Sequence, residues 1–217
     1  MRETDCTNLS DELGGDAVRQ RNLMMQELNH RSKNILQSIS ATLSLIAAKT
    51  ENAEARATLH GAMQRLNVMS EAYAMVYRTG NADLIPCRDY LKQLCETLAR
   101  ALDAGRLRFV VDGDNPLWPQ RSVSDLGMLV SEVVMNAIKH AFPLSGQGRI
   151  TVHLEYHSDR CALQIRDDGI GFEQAKIRHG LGAKLIQAFA QQISGTVEIV
   201  SIPGDGTMVR VLFPPPA

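Results

Sequence analysis

Two long helical stretches, each with an apolar stripe it cannot cover alone, constrain this chain most. From about Ala17 to Lys49 there is neither Pro nor Gly, and Leu28, Ile35, Ile39, Leu43 and Ile46 recur at steps of 7, 4, 4 and 3. At about 100° per residue these positions fall on one narrow stripe of a helix. Thr50-Glu51-Asn52 is a polar break, and a second helix is predicted from about Ala53 to Arg78, with Leu59, Met63, Leu66, Met69, Tyr73 and Val76 at steps of 4, 3, 3, 4 and 3. A short turn between two such helices makes an antiparallel hairpin. A lone hairpin leaves apolar surface in water, and pairing with a second copy into a four-helix bundle covers it. A homodimer is therefore expected.

The rest of the chain has another rhythm. Met1 to Asp16 is polar and contains Gly14-Gly15, which predicts a flexible start. Thr79-Gly80-Asn81-Ala82-Asp83 punctuates the sequence. The expected domains are thus 17–79 for the hairpin and 84–217 for a second domain of mixed strands and helices, with 79–83 as a hinge. Helices are predicted over Pro86–Leu102, Ser122–Ala141 (starting from a capping pattern at Ser122-Val123-Ser124-Asp125) and Leu181–Ile193. Strands are predicted over Leu107–Val111, Ile150–Tyr156, Cys161–Arg166, Val197–Ser201 and Met208–Phe213. Strands and helices mix without strict alternation. The expected class is α+β, a mixed sheet covered by helices on one face.

Composition excludes several functions. The net charge is -1, so no global basic field suggests nucleic acid. Cys6, Cys87, Cys95 and Cys161 are widely spaced with no C-x-x-C pair, which fits reduced thiols better than a disulfide or zinc framework. No apolar run approaches the roughly 20 residues that cross a bilayer. A cytoplasmic protein without a membrane anchor is expected, its sensory input coming from a separate protein.

Chemistry concentrates in two places. His30 lies on the face of the first helix opposite the apolar stripe, with Glu27 three residues before it and Asn34 four after. An exposed imidazole with an ordinary pKa near 6.5 has one nucleophilic nitrogen at neutral pH. A carboxylate beside it can fix the tautomer or take the proton, and a carboxamide one turn on can orient a water. Taken alone, the group is also what any solvated helix face offers.

The second constellation is distributed. Glu132 and Asn136 stand at i, i+4 on one helix face, an oxygen pair suited to Mg²⁺, and Lys139 and His140 follow on the next turn within reach of phosphate. Asp167 closes a strand before the tight turn Asp168-Gly169-Ile170-Gly171. A carboxylate there can accept a hydrogen bond from an exocyclic amine such as adenine's, and the glycines let backbone approach a ligand. Gly180-Leu181-Gly182 opens a helix, where N–H groups and the helix dipole favour phosphate. Each motif singly is an ordinary helix face or turn; their order and separations together point to an ATP site.

On those residues the chain resembles the two-component sensor histidine kinases over about residues 20–214. The resemblance rests on His30-Arg31-Ser32-Lys33-Asn34, Asn136-Ala137-Ile138-Lys139-His140-Ala141-Phe142, Asp167-Asp168-Gly169-Ile170-Gly171-Phe172 and Gly180-Leu181-Gly182. It implies a dimerisation and phosphotransfer hairpin followed by a GHKL-type ATP-binding domain of Bergerat fold. It makes His30 the phosphoacceptor, Asn136 the ligand of Mg²⁺–ATP, Asp167 the adenine contact and Thr207 its neighbour. Gly169, Gly171, Gly180 and Gly182 would shape pocket and lid. The implied partner is the receiver domain of a response regulator. Arg31 stands where most of these kinases carry an acidic residue, leaving Glu27 as the candidate carboxylate beside the ring. The only tryptophan, Trp118, lies outside the HWE signature position, so the sister HisKA_2-like group is the better match. The lid, residues 172–179, is short. Two readings stay open: an ATP-dependent histidine kinase, and a phosphotransferase or phosphatase of the same architecture that does not use ATP. A third, a GHKL ATPase or protein-serine kinase that ignores His30, leaves the hairpin and histidine box without a purpose.

Overall fold

The computed structural model describes residues 34–78, 84–102, 104–143, 146–173 and 181–216. The expected hinge at 79–83 lies outside them. The chain divides into two compact units, Met1–Met63 and Gln64–Ala217.

In the first unit, helix α1 covers 34–49. Ile35, Ile39 and Ile46 are 59%, 43% and 48% exposed, so the stripe read from the sequence lies on the surface of the single chain. Helix α2 runs Ala53–Arg78. Asn52 caps it: its Oδ1 accepts from the N–H groups of Glu54 and Ala55 at 2.9 and 3.0 Å.

In the second unit, the α2 residues buried in the core are Val68, Ala72 and Met75. This is a different stripe from the one read in the sequence: Leu66 and Met69 are only half-buried. The helix is apolar on two sides, and a single period describes only one of them. After α2 come β1 (Leu84–Pro86), α3 (Cys87–Ala101), β2 (Leu107–Gly113), β3 (Leu117–Pro119) and α4 (Gln120–His140). They are followed by β4 (Gly148–Tyr156), β5 (Cys161–Asp167), α5 (Leu181–Gln192), β6 (Thr196–Ile202) and β7 (Gly206–Phe213). The main sheet has the order β2-β4-β5-β7-β6. Its β2–β4 pair is parallel and the other pairs are antiparallel, the mixed sheet expected.

Strand alternation places Ile150, Val152 and Leu154 of β4 and Leu163 and Ile165 of β5 in the core, with Leu91, Leu94, Leu126 and Leu129 from α3 and α4. Polar residues such as Thr151, Gln164 and Arg166 occupy the alternate positions.

Two details differ from the sequence reading. The pair β1–β3 was not legible, because strands of three residues are too short to show a period. And α4 begins at Gln120, two residues before the predicted cap at Ser122. Pro119, with φ -53°, ends β3 and opens the helix directly, and no side chain caps it. The loop between β2 and β3 also caps a helix: Asn115 Oδ1 accepts from the N–H of Arg88 at 2.9 Å, and its Nδ2 donates to Asp89 at 2.9 Å, capping α3 from outside.

Candidate nucleotide site

The site grows from two local patterns. On β5 the buried positions are Cys161, Leu163, Ile165 and Asp167. Period two therefore carries a carboxylate onto the apolar face at the strand end. Asp167 is 6% exposed. Its Oδ1 accepts from the N–H groups of Gly169 at 3.0 Å and Thr207 at 3.2 Å, while Oδ2 has no partner among the described residues. Thr207 faces Asp167 across the β5–β7 ladder, and its hydroxyl meets Ser201 Oγ at 2.9 Å. Burial pushes the Asp167 carboxyl up from its ordinary value, and the two N–H donors pull it back.

On α4, Glu132 is fully buried and Asn136 partly so, one turn apart. Glu132 Oε1 accepts from Arg65 Nε at 3.0 Å, and Oε2 is buried without a partner among the described residues. Burial raises the Glu132 carboxyl; Arg65 and Lys139 oppose the rise. Lys139 and His140 are both lowered, first by burial and then by neighbouring cations.

The glycines bring the two patterns together. Gly182, in the first turn of α5, lies where a Cβ would come within 2.7 Å of Glu132 Oε1 and 2.9 Å of the Asn136 amide. A residue without a side chain lets α5 approach that closely without displacing either of these side-chain ends. Gly171 has φ +57° beside the Ile202 carbonyl, a conformation glycine adopts at little cost. Gly169 contributes its N–H to Asp167, as above.

Between these elements lies a cavity of about 490 Å³, within the range of small-molecule sites. Asp167 and Thr207 stand with Ile165, Ile199 and Val209 from the sheet, while Asn136, His140, Gly182 and Arg65 come from the helices. The structure thus brings Asn136, His140, Asp167, Gly171, Gly182 and Thr207 to one cavity, with Glu132 behind its wall. Lys139 stands beside Arg65 and Glu132, not on the lining. Asn34 is exposed on α1. His30, Glu27 and Gly180 lie outside the described residues. Sequence reasoning missed Arg65 and Ser201. Nothing in a lone arginine on an amphipathic helix marks it; Ser201, which receives the N–H of Phe172 at 2.9 Å and donates to the Gly206 carbonyl at 3.2 Å, reads as an ordinary strand serine.

The donor set fits an adenine nucleotide. An unpaired carboxylate oxygen at the sheet end suits an exocyclic amine. The unpartnered Glu132 oxygen and the Asn136 amide, cradled by Gly182, suit a hydrated Mg²⁺ with its phosphates.

Comparison with known proteins agrees. The histidine kinase model HisKA_2 matches residues 27–102, and the model of histidine kinase-, DNA gyrase B- and HSP90-like ATPases matches residues 122–217. The sensor histidine kinase PdtaS of Mycobacterium tuberculosis is 29% identical over 214 residues, covering 91% of this chain and 40% of that protein. Blue-light-activated histidine kinase 2 of Erythrobacter litoralis is 23% identical, covering 92% of this chain and 59% of its own length. The chain therefore spans less than two thirds of the length of these curated relatives. Among solved structures, the histidine kinase domain of the Erythrobacter litoralis EL346 blue-light activated kinase aligns with a TM-score of 0.63 at 20% identity, over 83% of this chain and 94% of that one. With a HisKA_2 region followed by a GHKL-type ATPase module in one chain, the protein belongs to the histidine kinases.

Proposed function

We propose that this chain is an ATP-dependent histidine autokinase that phosphorylates His30 and passes the phosphoryl group to an aspartate of a response-regulator receiver domain. The observation that carries the reading is the cavity with an Asp167 oxygen unpaired among the described residues in one wall and the Asn136–Gly182–Glu132 cluster in another. Asp167 accepts from the adenine amine, beside Thr207. Asn136 orients the triphosphate, Lys139 offsets part of its charge from behind the lining, and His140 offers a ring N–H. Bound Mg²⁺, held through Asn136 and the phosphates, supplies further charge neutralisation. A His30 nitrogen attacks the γ-phosphorus in line; the P–N bond forms as the bond to the bridging oxygen breaks and ADP leaves. Glu132 or Glu27 takes the imidazole proton, and Asn34 orients a water for the reverse hydrolysis. Positioning and charge supply most of the rate.

The exposed stripe of α1 supports a homodimer. Among the described residues no helix is long and apolar enough to cross a membrane, in keeping with a cytoplasmic site of action. Sensory input would come from a separate protein or from a longer polypeptide of which this chain is part.

The test is incubation with γ-labelled ATP and Mg²⁺. Label stable in alkali, lost in acid and absent from His30→Ala establishes the autokinase. Absence of label together with absence of ATP binding rejects it in favour of a phosphotransferase or phosphatase acting on a phosphorylated partner.

A further inference from the structure

Arg65 lies on α2, outside the segment matched by the ATPase model and inside the HisKA_2 match. It nevertheless lines the nucleotide cavity. Arg65, Val68, Ala72 and Met75 follow steps of 3, 4 and 3, one face of the helix. The last three are core residues, so Arg65 continues a buried stripe to the place where core gives way to cavity.

Its side chain is 18% exposed, and one of its five N–H donors is used: Nε donates to Glu132 Oε1 at 3.0 Å. Both Nη groups have no partner among the described residues. Glu132 Oε2, fully buried, has none either. A purely structural buried pair gains little unless both members are satisfied, and here Glu132 Oε2 is buried without a partner among the described residues while the Nη edge of Arg65 is left free to face the cavity. Positive charge also crowds the helix side of the cavity: Arg65 on the lining and Lys139 just behind it stand with Glu132, and these neighbouring cations add to burial in depressing Lys139 and His140. An anion is what such a cluster lacks. A guanidinium held at one edge presents its other edge as a fork matched to phosphate oxygens.

We propose that Arg65 is a phosphate ligand of the nucleotide: Glu132 fixes its Nε edge, and its Nη edge takes the terminal phosphates of ATP. The hairpin's second helix thereby completes the ATP site. The inference rests on the reading of the cavity as that site.

The test measures binding of ATP, ADP and adenosine to the full chain and its Arg65→Met, Arg65→Ala and Arg65→Lys variants. Loss of a charge-assisted fork should weaken ATP about ten- to a hundredfold in Arg65→Met and Arg65→Ala, with adenosine unchanged and ADP between. Arg65→Lys keeps the charge but loses the fork and should fall between wild type and Arg65→Met. An unchanged ratio of ATP to adenosine affinity in the variants overturns the inference and leaves the ATP site standing. Failure of the wild-type chain to bind either ligand overturns both. If Arg65→Met and Arg65→Ala do not fold, Arg65→Lys decides: a lowered ratio supports the role and an unchanged ratio rejects it.

Discussion

Asp167 holds a carboxylate on an apolar face, and that placement gives it two opposed pH dependences. An aspartate whose folded pKa is raised penalises the folded state once it ionises, so this group favours folding as pH falls through its raised value. The proposed adenine contact needs the ionised acceptor and moves the other way. ATP affinity should be full at neutral pH and fall on acidification at a higher pH than the ordinary Asp value of about 3.9 allows. Asp167→Asn should abolish ATP binding while removing the acid-side gain in unfolding free energy; titration calorimetry and denaturant melts across pH check the two arms. That Asp167, Asn136, Gly171 and Gly182 share one cavity was legible in the sequence because those motifs are tied to short spacings. Arg65 was not, because its meaning comes from Glu132, 67 positions away.

Elements were legible in proportion to their length. The helices over Cys87–Ala101 and Leu181–Gln192 and the long strands carry enough periods to be read within a residue or two. The three-residue strands β1 and β3 carry none, and because β3 feeds directly into α4, missing it also misplaced the start of that helix. Helix α3 illustrates a cap supplied from a distance. Pro86 cannot provide a side-chain oxygen, and Asn115, from the loop between β2 and β3, does so instead. Asn115→Ala should cost about 1 kcal/mol, the usual worth of an N-cap. In urea the midpoint should fall with the slope unchanged.

At the scale of the molecule, the apolar residues of α1 are surface residues in one chain, and a second copy is the partner that suits a self-complementary stripe. Ile39→Glu combined with Ile46→Glu should turn a dimer into a folded monomer by sedimentation, while adenosine binding in the second unit persists. The compact unit that holds the cavity begins at Gln64, inside α2. A fragment 64–217 should therefore unfold at higher denaturant than a fragment 84–217, since burial of Val68 and Met75 is worth about 1.5–3 kcal/mol each. Sequence patterns reveal breaks in the backbone, whereas this division is set by which side chains share a core, and that is written across distant positions.

The two-sided helix α2 also limits how this architecture can be rearranged. A fusion of the ATP module to another hairpin through the stretch at 79–83 would strip the core of Val68, Ala72 and Met75. The recipient helix would have to present similar residues on the same face. Recombination between kinases of this type should therefore tolerate crossovers near Met63 and reject those a few turns later. On that division, the seam along which such proteins can be exchanged runs through the middle of a helix.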